Sequence, residues 1–125
     1  MIITFTIKGR LCGTNEIIQA AARNRFWGGA KRKADKFKCI AQITEQNLVL
    51  KSRFTKPVTV SFAWIEPNAK RDIDNVSGGQ KVILDALVLC GVIPNDTRQW
   101  VKGLSHTFPE PDKNNPRIIV SVAEA

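Results

Sequence analysis

The chain has 125 residues, of which 43% are hydrophobic and 24% charged, a composition typical of one globular domain and not of a disordered chain. No apolar run reaches the ~20 residues of a membrane-spanning helix, and the N-terminus lacks the pattern of a secretion signal, so we expect a cytoplasmic protein without membrane contact. The net charge of +8 is concentrated in residues 1–56, which hold twelve basic and three acidic side chains. This imbalance favours a polyanionic partner, most commonly nucleic acid, over a merely solvated basic surface.

The first half of the chain predicts one strand followed by helices. Apolar and polar residues alternate over residues 1–8, which indicates a strand. Thr14 is a candidate N-cap for a helix over residues 15–25, and a second, basic helix is expected over residues 30–46. The sequence Phe-Trp-Gly-Gly at 26–29 either interrupts these helices or lies within one long helix, and residues 48–50 are ambiguous.

The second half predicts a strand, a helix and two closing strands. Residues 58–65 alternate as a strand, residues 72–92 read as a helix with a loose start at 77–79, and Gly91 marks its end. Strands are expected over residues 100–108 and 117–122, joined by a polar connection. The order β-α-α-β-α-β-β over residues 1–125 predicts a single α+β domain, with a mixed or mainly antiparallel sheet packed against about three helices. The third helix is apolar nearly all round, which suggests burial between the sheet and a second subunit.

Carboxylates in the second half form the candidate chemical site. Asp72 and Asp74 are two residues apart after a strand and a turn, so they can point the same way, and Asp96 can fold back from the turn after the helix. Such oxygen ligands suit Mg²⁺, with Mn²⁺ as an alternative, and Lys81 is placed to neutralise charge on a phosphate. The competing interpretation makes Asp72 and Asp74 helix caps, Asp96 a turn residue and Lys81 an ion-pair partner of Asp85.

Other chemistries have little support in the sequence. The cysteines, Cys12, Cys39 and Cys90, are widely spaced, which excludes a CxxC zinc motif and indicates reduced thiols. The only histidine, His106, is expected in a strand with an ordinary hydrogen bond, and no phosphate-binding glycine motif is present.

Three separated segments carry a resemblance to a known family. The segments are KRDIDNV at 70–76, KVILDAL at 81–87 and GVIPND at 91–96. In this order they resemble the RusA family of Holliday-junction resolvases, phage and prophage type. The opening strand followed by Gly-Thr-Asn at 13–15 is also similar to that family. The spacing between Asp74 and Lys81 is longer than in its shortest members, and Asn95 stands where an acidic residue is common.

The resemblance implies a function and a set of site residues. It implies a homodimeric, Mg²⁺-dependent endodeoxyribonuclease that resolves four-way DNA junctions by paired symmetric nicks, in DNA recombination and repair. It makes Asp72, Asp74 and Asp96 catalytic metal ligands, Lys81 the catalytic lysine and Asp85 a supporting acid. From the resemblance and the charge pattern together, the expected DNA-binding residues are Asn15, Arg23, Arg25, Lys31, Arg32, Lys33, Lys36, Lys70 and Arg71.

Two points stay open from the sequence alone. Phe26 or Trp27 either wedges against an exposed base at a junction or packs in the core. The alternative function is a non-catalytic, structure-specific DNA- or RNA-binding protein in which the aspartates are caps.

Overall fold

The computed structural model describes all 125 residues apart from the side chain of Arg25. In chain order the elements are β1 (Ile2–Lys8), α1 (Thr14–Arg23), α2 (Arg25–Leu50), β2 (Val58–Ile65), α3 (Ile73–Ser77), α4 (Gln80–Leu89), β3 (Val101–Thr107) and β4 (Arg117–Glu124). The predicted α+β single domain is confirmed, and the predicted third helix is divided into α3 and α4. None of the helices in the described part of the chain combines the length and apolar character needed to cross a membrane.

The sheet is mixed and has the strand order β1-β4-β2-β3. Strand β4 is antiparallel to both β1 and β2, whereas β3 is parallel to β2. The parallel pair is possible because α3 and α4 form the crossover between these strands. Alternate residues of the strands, such as Phe5, Val60 and Val120, are completely buried on the face that the helices cover.

The boundary between α1 and α2 lies at Asn24 and not at the Phe-Trp-Gly-Gly sequence. Asn24 has an extended backbone, and its side chain accepts a hydrogen bond from the Phe26 backbone N–H at 2.9 Å, which caps α2. A Cβ on Gly28 would lie 3.0 Å from the Ala21 Cβ and 3.1 Å from the Ile17 carbonyl oxygen. Gly28 therefore serves the close approach of α1 and α2, and α2 runs on through residues 48–50 as one helix of 26 residues.

Burial of α4 occurs largely within the chain itself. Five of its ten residues are buried: Val82, Ile83, Leu84, Ala86 and Leu87. Leu89, by contrast, is 63% exposed. The apolar character of this helix is thus explained mainly by packing against the sheet and α2, and a second subunit is not needed to account for it. The expected homodimer stays a prediction.

Candidate functional site

Two aspartates stand at the exposed start of α3. Asp72 occupies the N-cap position, and Asp74 lies in the first helical turn. Both side chains are exposed, and neither makes a hydrogen bond or ion pair with any residue whose side chain the structure describes. Because the Asp72 side chain makes no capping hydrogen bond, the interpretation of this residue as a structural cap receives no geometric support.

A partly buried arginine fixes the backbone immediately before these aspartates. The Arg71 guanidinium lies 2.7 Å from a carboxylate oxygen of Glu16 and 2.7 Å from one of Glu66, and donates to the Leu11 carbonyl oxygen at 3.0 Å. Its side chain is only 12% exposed. Burial acts against the charge, but the hydrogen bonds to Glu16 and Glu66 outweigh it and raise the pKa of Arg71. A DNA contact by Arg71 stays a prediction, and it requires exchange of these carboxylates for phosphate.

A buried asparagine joins α3 to the start of α1. Asn75 is 7% exposed, and its side-chain oxygen accepts a hydrogen bond from the Asn15 backbone N–H at 2.8 Å. A Cβ on Gly13 would overlap this oxygen, and a Cβ on Gly78 would overlap the hydroxyl oxygen of Thr14. The Gly-Thr-Asn element after β1 therefore packs directly against the segment that carries Asp72 and Asp74, although about 60 residues separate them in sequence.

A lysine connects the other two acidic residues of the motif. The Lys81 ammonium lies 3.0 Å from a carboxylate oxygen of Asp85 and 2.7 Å from one of Asp96. Hydrogen bonds to these two carboxylates raise the pKa of Lys81. The hydrogen bond from Lys81 likewise lowers the pKa of Asp96, although burial acts against it. The Lys81 side chain is 68% exposed, so a phosphate can reach it from solvent.

The structure brings only part of the predicted metal-ligand set together. Asp72 and Asp74 offer two exposed carboxylates, and Mg²⁺ is commonly held by one or two carboxylates together with waters and substrate phosphates. The residues that the structure describes contain no group of three or more His, Cys, Asp or Glu side chains able to hold a metal ion. Asp96 is engaged by Lys81 instead. The structure therefore brings Lys81, Asp85 and Asp96 together, but it does not join Asp96 with Asp72 and Asp74 in one ligand set.

Most of the predicted DNA-binding residues are accessible to a ligand. The exposed ones are Asn15, Arg23, Lys31, Arg32, Lys33 and Lys70, and Lys36 is partly buried. The side chain of Arg25 lies outside the described residues. Phe26 and Trp27 are 68% and 51% exposed, which argues against core packing of Trp27 and leaves the wedge as a prediction.

His106 has the structural role expected from the sequence. Its Nδ1 accepts a hydrogen bond from the Trp64 indole N–H at 2.9 Å, so the Nε2 atom carries the proton of the neutral ring and lies 3.2 Å from the Gln80 side-chain oxygen. The ring stacks on Phe62 with a centroid distance of 5.1 Å. Burial lowers the pKa of His106. This chain of hydrogen bonds ends at the first residue of α4, next to Lys81.

Sequence reasoning missed the positioning residues of the site. Asn75 belongs to the recognised motif but had no assigned role, and Glu16 was not singled out at all. The sequence held one signal that Asn75 is buried: it is a polar residue directly before an apolar one, in a helix that must bury one face. Glu16 gave no comparable signal, because its partner Arg71 is 55 residues away.

No family model and no curated protein matches this chain. The resemblance to the RusA family therefore rests on the motif residues of the sequence and stays a prediction.

Proposed function

We propose that the chain is a Mg²⁺-dependent, structure-selective endodeoxyribonuclease that cuts four-way DNA junctions, as the resemblance to the RusA family implies. The observation that carries the proposal is the convergence of separated motif segments. The element at residues 13–15 packs on Asn75. Lys81, near the start of α4, forms an ion pair with Asp96, which follows the end of that helix. Three motif residues, Lys81, Asp85 and Asp96, thus form one cluster, while Asp72 and Asp74 stay exposed at the start of α3.

The proposed roles follow from charge and accessibility. Asp72 and Asp74 would hold a divalent ion, which would supply charge neutralisation at the phosphate and a more acidic bound water, and Asp96 would join them only after it leaves Lys81. Lys81 carries a positive charge at neutral pH and is held by Asp85 while exchanging Asp96 for a phosphate oxygen. This exchange frees the Asp96 carboxylate when DNA is bound.

The basic surface accounts for DNA affinity in this proposal. Arg32, Lys33 and Lys36 lie on α2 and share a cleft with Lys81. Contacts between such side chains and phosphates release counterions, so we expect affinity to fall steeply with salt. Symmetric nicks in two strands require two active sites related by a two-fold axis, and the proposal therefore includes a homodimer.

One observation favours the non-catalytic alternative. Lys81 occupies the Asp96 carboxylate, and the described residues hold no three-ligand metal group. In that case the chain binds branched DNA or RNA without cutting it. The two functions differ in whether Mg²⁺ is needed for a change in the nucleic acid.

The deciding experiment is cleavage of a synthetic mobile four-way junction in Mg²⁺, with linear duplex of the same sequence as a control. Asp74→Asn is compared with the matched variant Glu45→Gln, which removes one exposed carboxylate of α2. We expect paired symmetric nicks with wild type and Glu45→Gln. Asp74→Asn should not cut, but should bind the junction at least as tightly because a repulsive charge is gone. Tight junction binding without cleavage in either Mg²⁺ or Mn²⁺ would leave the binding protein as the function.

A further inference from the structure

A cleft of about 660 Å³ lies between the N-terminal half of α2 and the α3–α4 joint. Its floor and walls are largely apolar, with Ile17, Phe37, Ile40, Val82 and Leu89 among the lining residues. Phe37 and Leu89 are 58% and 63% exposed, so its apolar rim faces solvent. The volume is within the range of about 300–1,000 Å³ usual for small-molecule sites.

The charges around this cleft are strongly unbalanced. Arg32, Lys33, Lys36 and Lys81 line it together with a single carboxylate, that of Asp85. An apolar cavity with a cationic border is complementary to a ligand that has a flat apolar face and an attached anion. A second copy of this chain is a poor occupant, because a two-fold contact through this cleft would place its cationic border against an identical one.

From this complementarity we infer that the cleft binds one unpaired nucleotide of single-stranded or branched DNA. The base lies between the apolar walls and stacks on the Phe37 ring, over which the Lys33 ammonium lies at 5.8 Å from the centroid in the free protein. The phosphates contact the cationic border, which includes Lys33. The Asp85 carboxylate, one oxygen of which pairs with Lys81, can accept a hydrogen bond from an exocyclic amino group of the base through its other oxygen. The inference rests on the proposed function for the identity of the ligand as DNA.

The position of the cleft links it to the candidate site. Lys81 lines the cleft, and an adjoining cavity of about 270 Å³ shares Lys36, Asp85 and Leu89 with it and also includes Asp96. A nucleotide in the cleft therefore brings a neighbouring phosphate toward the Lys81–Asp96 pair. The cleft thus selects an unpaired base at the branch point.

Binding of two fluorescent oligonucleotides tests this inference without any cleavage step. One probe is a single-stranded 12-mer with bases, and the other is an abasic 12-mer with the same number of phosphates, both measured by anisotropy in EDTA. We expect wild type to prefer the probe with bases by at least about fivefold, since stacking on an aromatic ring contributes about 1–3 kcal/mol per base. Equal binding of the two probes would overturn the inference.

Matched variants separate the base from the phosphates. Phe37→Ala should abolish the preference for bases while leaving the affinity for the abasic probe unchanged. Leu89→Ser, which changes the opposite wall of the cleft, should reduce the preference for bases. Leu48→Ala, which changes another exposed residue of α2, is the control and should keep the preference. Lys36→Met should weaken both probes equally. Thermal unfolding verifies that each variant is folded.

The outcomes distinguish this inference from the proposed nuclease. Junction cleavage with an unaltered base preference in Phe37→Ala would overturn the cleft alone. If Phe37→Ala loses the preference for bases but the wild-type protein never cuts junctions, the result would support nucleotide binding in the cleft and overturn the proposed nuclease. A Phe37→Ala variant that changes from dimer to monomer in sedimentation, with base preference intact, would assign the cleft to a second copy and refute the inference.

Discussion

The most informative stability test concerns Arg71, the guanidinium beneath the aspartate pair. Arg71→Met keeps most of the side-chain length but leaves Glu16 and Glu66 without their shared cation. Removing one partner of a fully buried ion pair destabilises a protein by about 3–5 kcal/mol. Here Glu16 is 37% exposed and Glu66 retains Arg10 at 2.9 Å, which reduces the loss. We therefore expect a loss of about 2–3 kcal/mol, or about 8–12 °C in Tm for a domain of this size.

Urea unfolding at pH 7 measures this loss, and Arg10→Met is its matched control. Arg10 is 39% exposed and pairs with Glu66 alone, so its removal should change the free energy of unfolding by less than about 1 kcal/mol. Adding Glu16→Gln to Arg71→Met should recover part of the loss, because the uncompensated carboxylate is removed. A loss below about 1 kcal/mol for Arg71→Met would refute the assignment of this residue as the anchor of the site.

Three further predictions test other parts of the structure. Lys81→Met should change the free energy of unfolding by less than about 1 kcal/mol, because the lysine is largely exposed, but it should slow junction cleavage about 100-fold or more. The control variant Lys102→Met should behave as wild type in both assays. Because the pKa of His106 is lowered in the folded state, its contribution to stability is complete above about pH 6.5 and is lost as pH falls through the folded-state pKa. In thermal unfolding from pH 7.5 to 5, the Tm of His106→Gln should therefore decrease less than the Tm of wild type. Gly13→Ala should destabilise by about 1–3 kcal/mol, whereas Gly29→Ala, whose Cβ meets no atom within 4 Å, should stabilise α2 by up to about 1 kcal/mol in the same urea assay.

The strands could be predicted because their signal is local. Alternation in β1 and β2 follows directly from one buried and one open face, and β2 begins and ends at the predicted residues. The boundary between α1 and α2 was harder to predict from the sequence. Glycines at 28 and 29 suggest a break by propensity, but contact with Ala21 explains Gly28, and capping by Asn24 decides where α2 begins.

Among the residues of the candidate site, too, some contacts could be predicted from the sequence and others could not. The Lys81–Asp85 pair was predictable because four residues on a helix form one turn. Glu66 is only five residues from Arg71, but the other partners of Arg71 and Asn75 come from α1 and the preceding loop, at a distance that only the folded chain establishes. The charge pattern identified Arg71 as basic but could not show that Glu16 and Glu66 already neutralise it.

The distribution of cations among the acidic residues argues for a function at Asp72 and Asp74. A surface that binds DNA should not leave carboxylates unneutralised, because they repel phosphate. The structure follows this rule at Asp85 and Asp96, which share Lys81. At Asp72 and Asp74 no described side chain supplies a cation, although Arg71 is the neighbouring residue and pairs with glutamates instead. The Asp72 side chain does not cap α3 either, and only the position of Asp74 in the first helical turn has a structural benefit. Under the proposed function, a cation that accompanies the substrate would neutralise both charges.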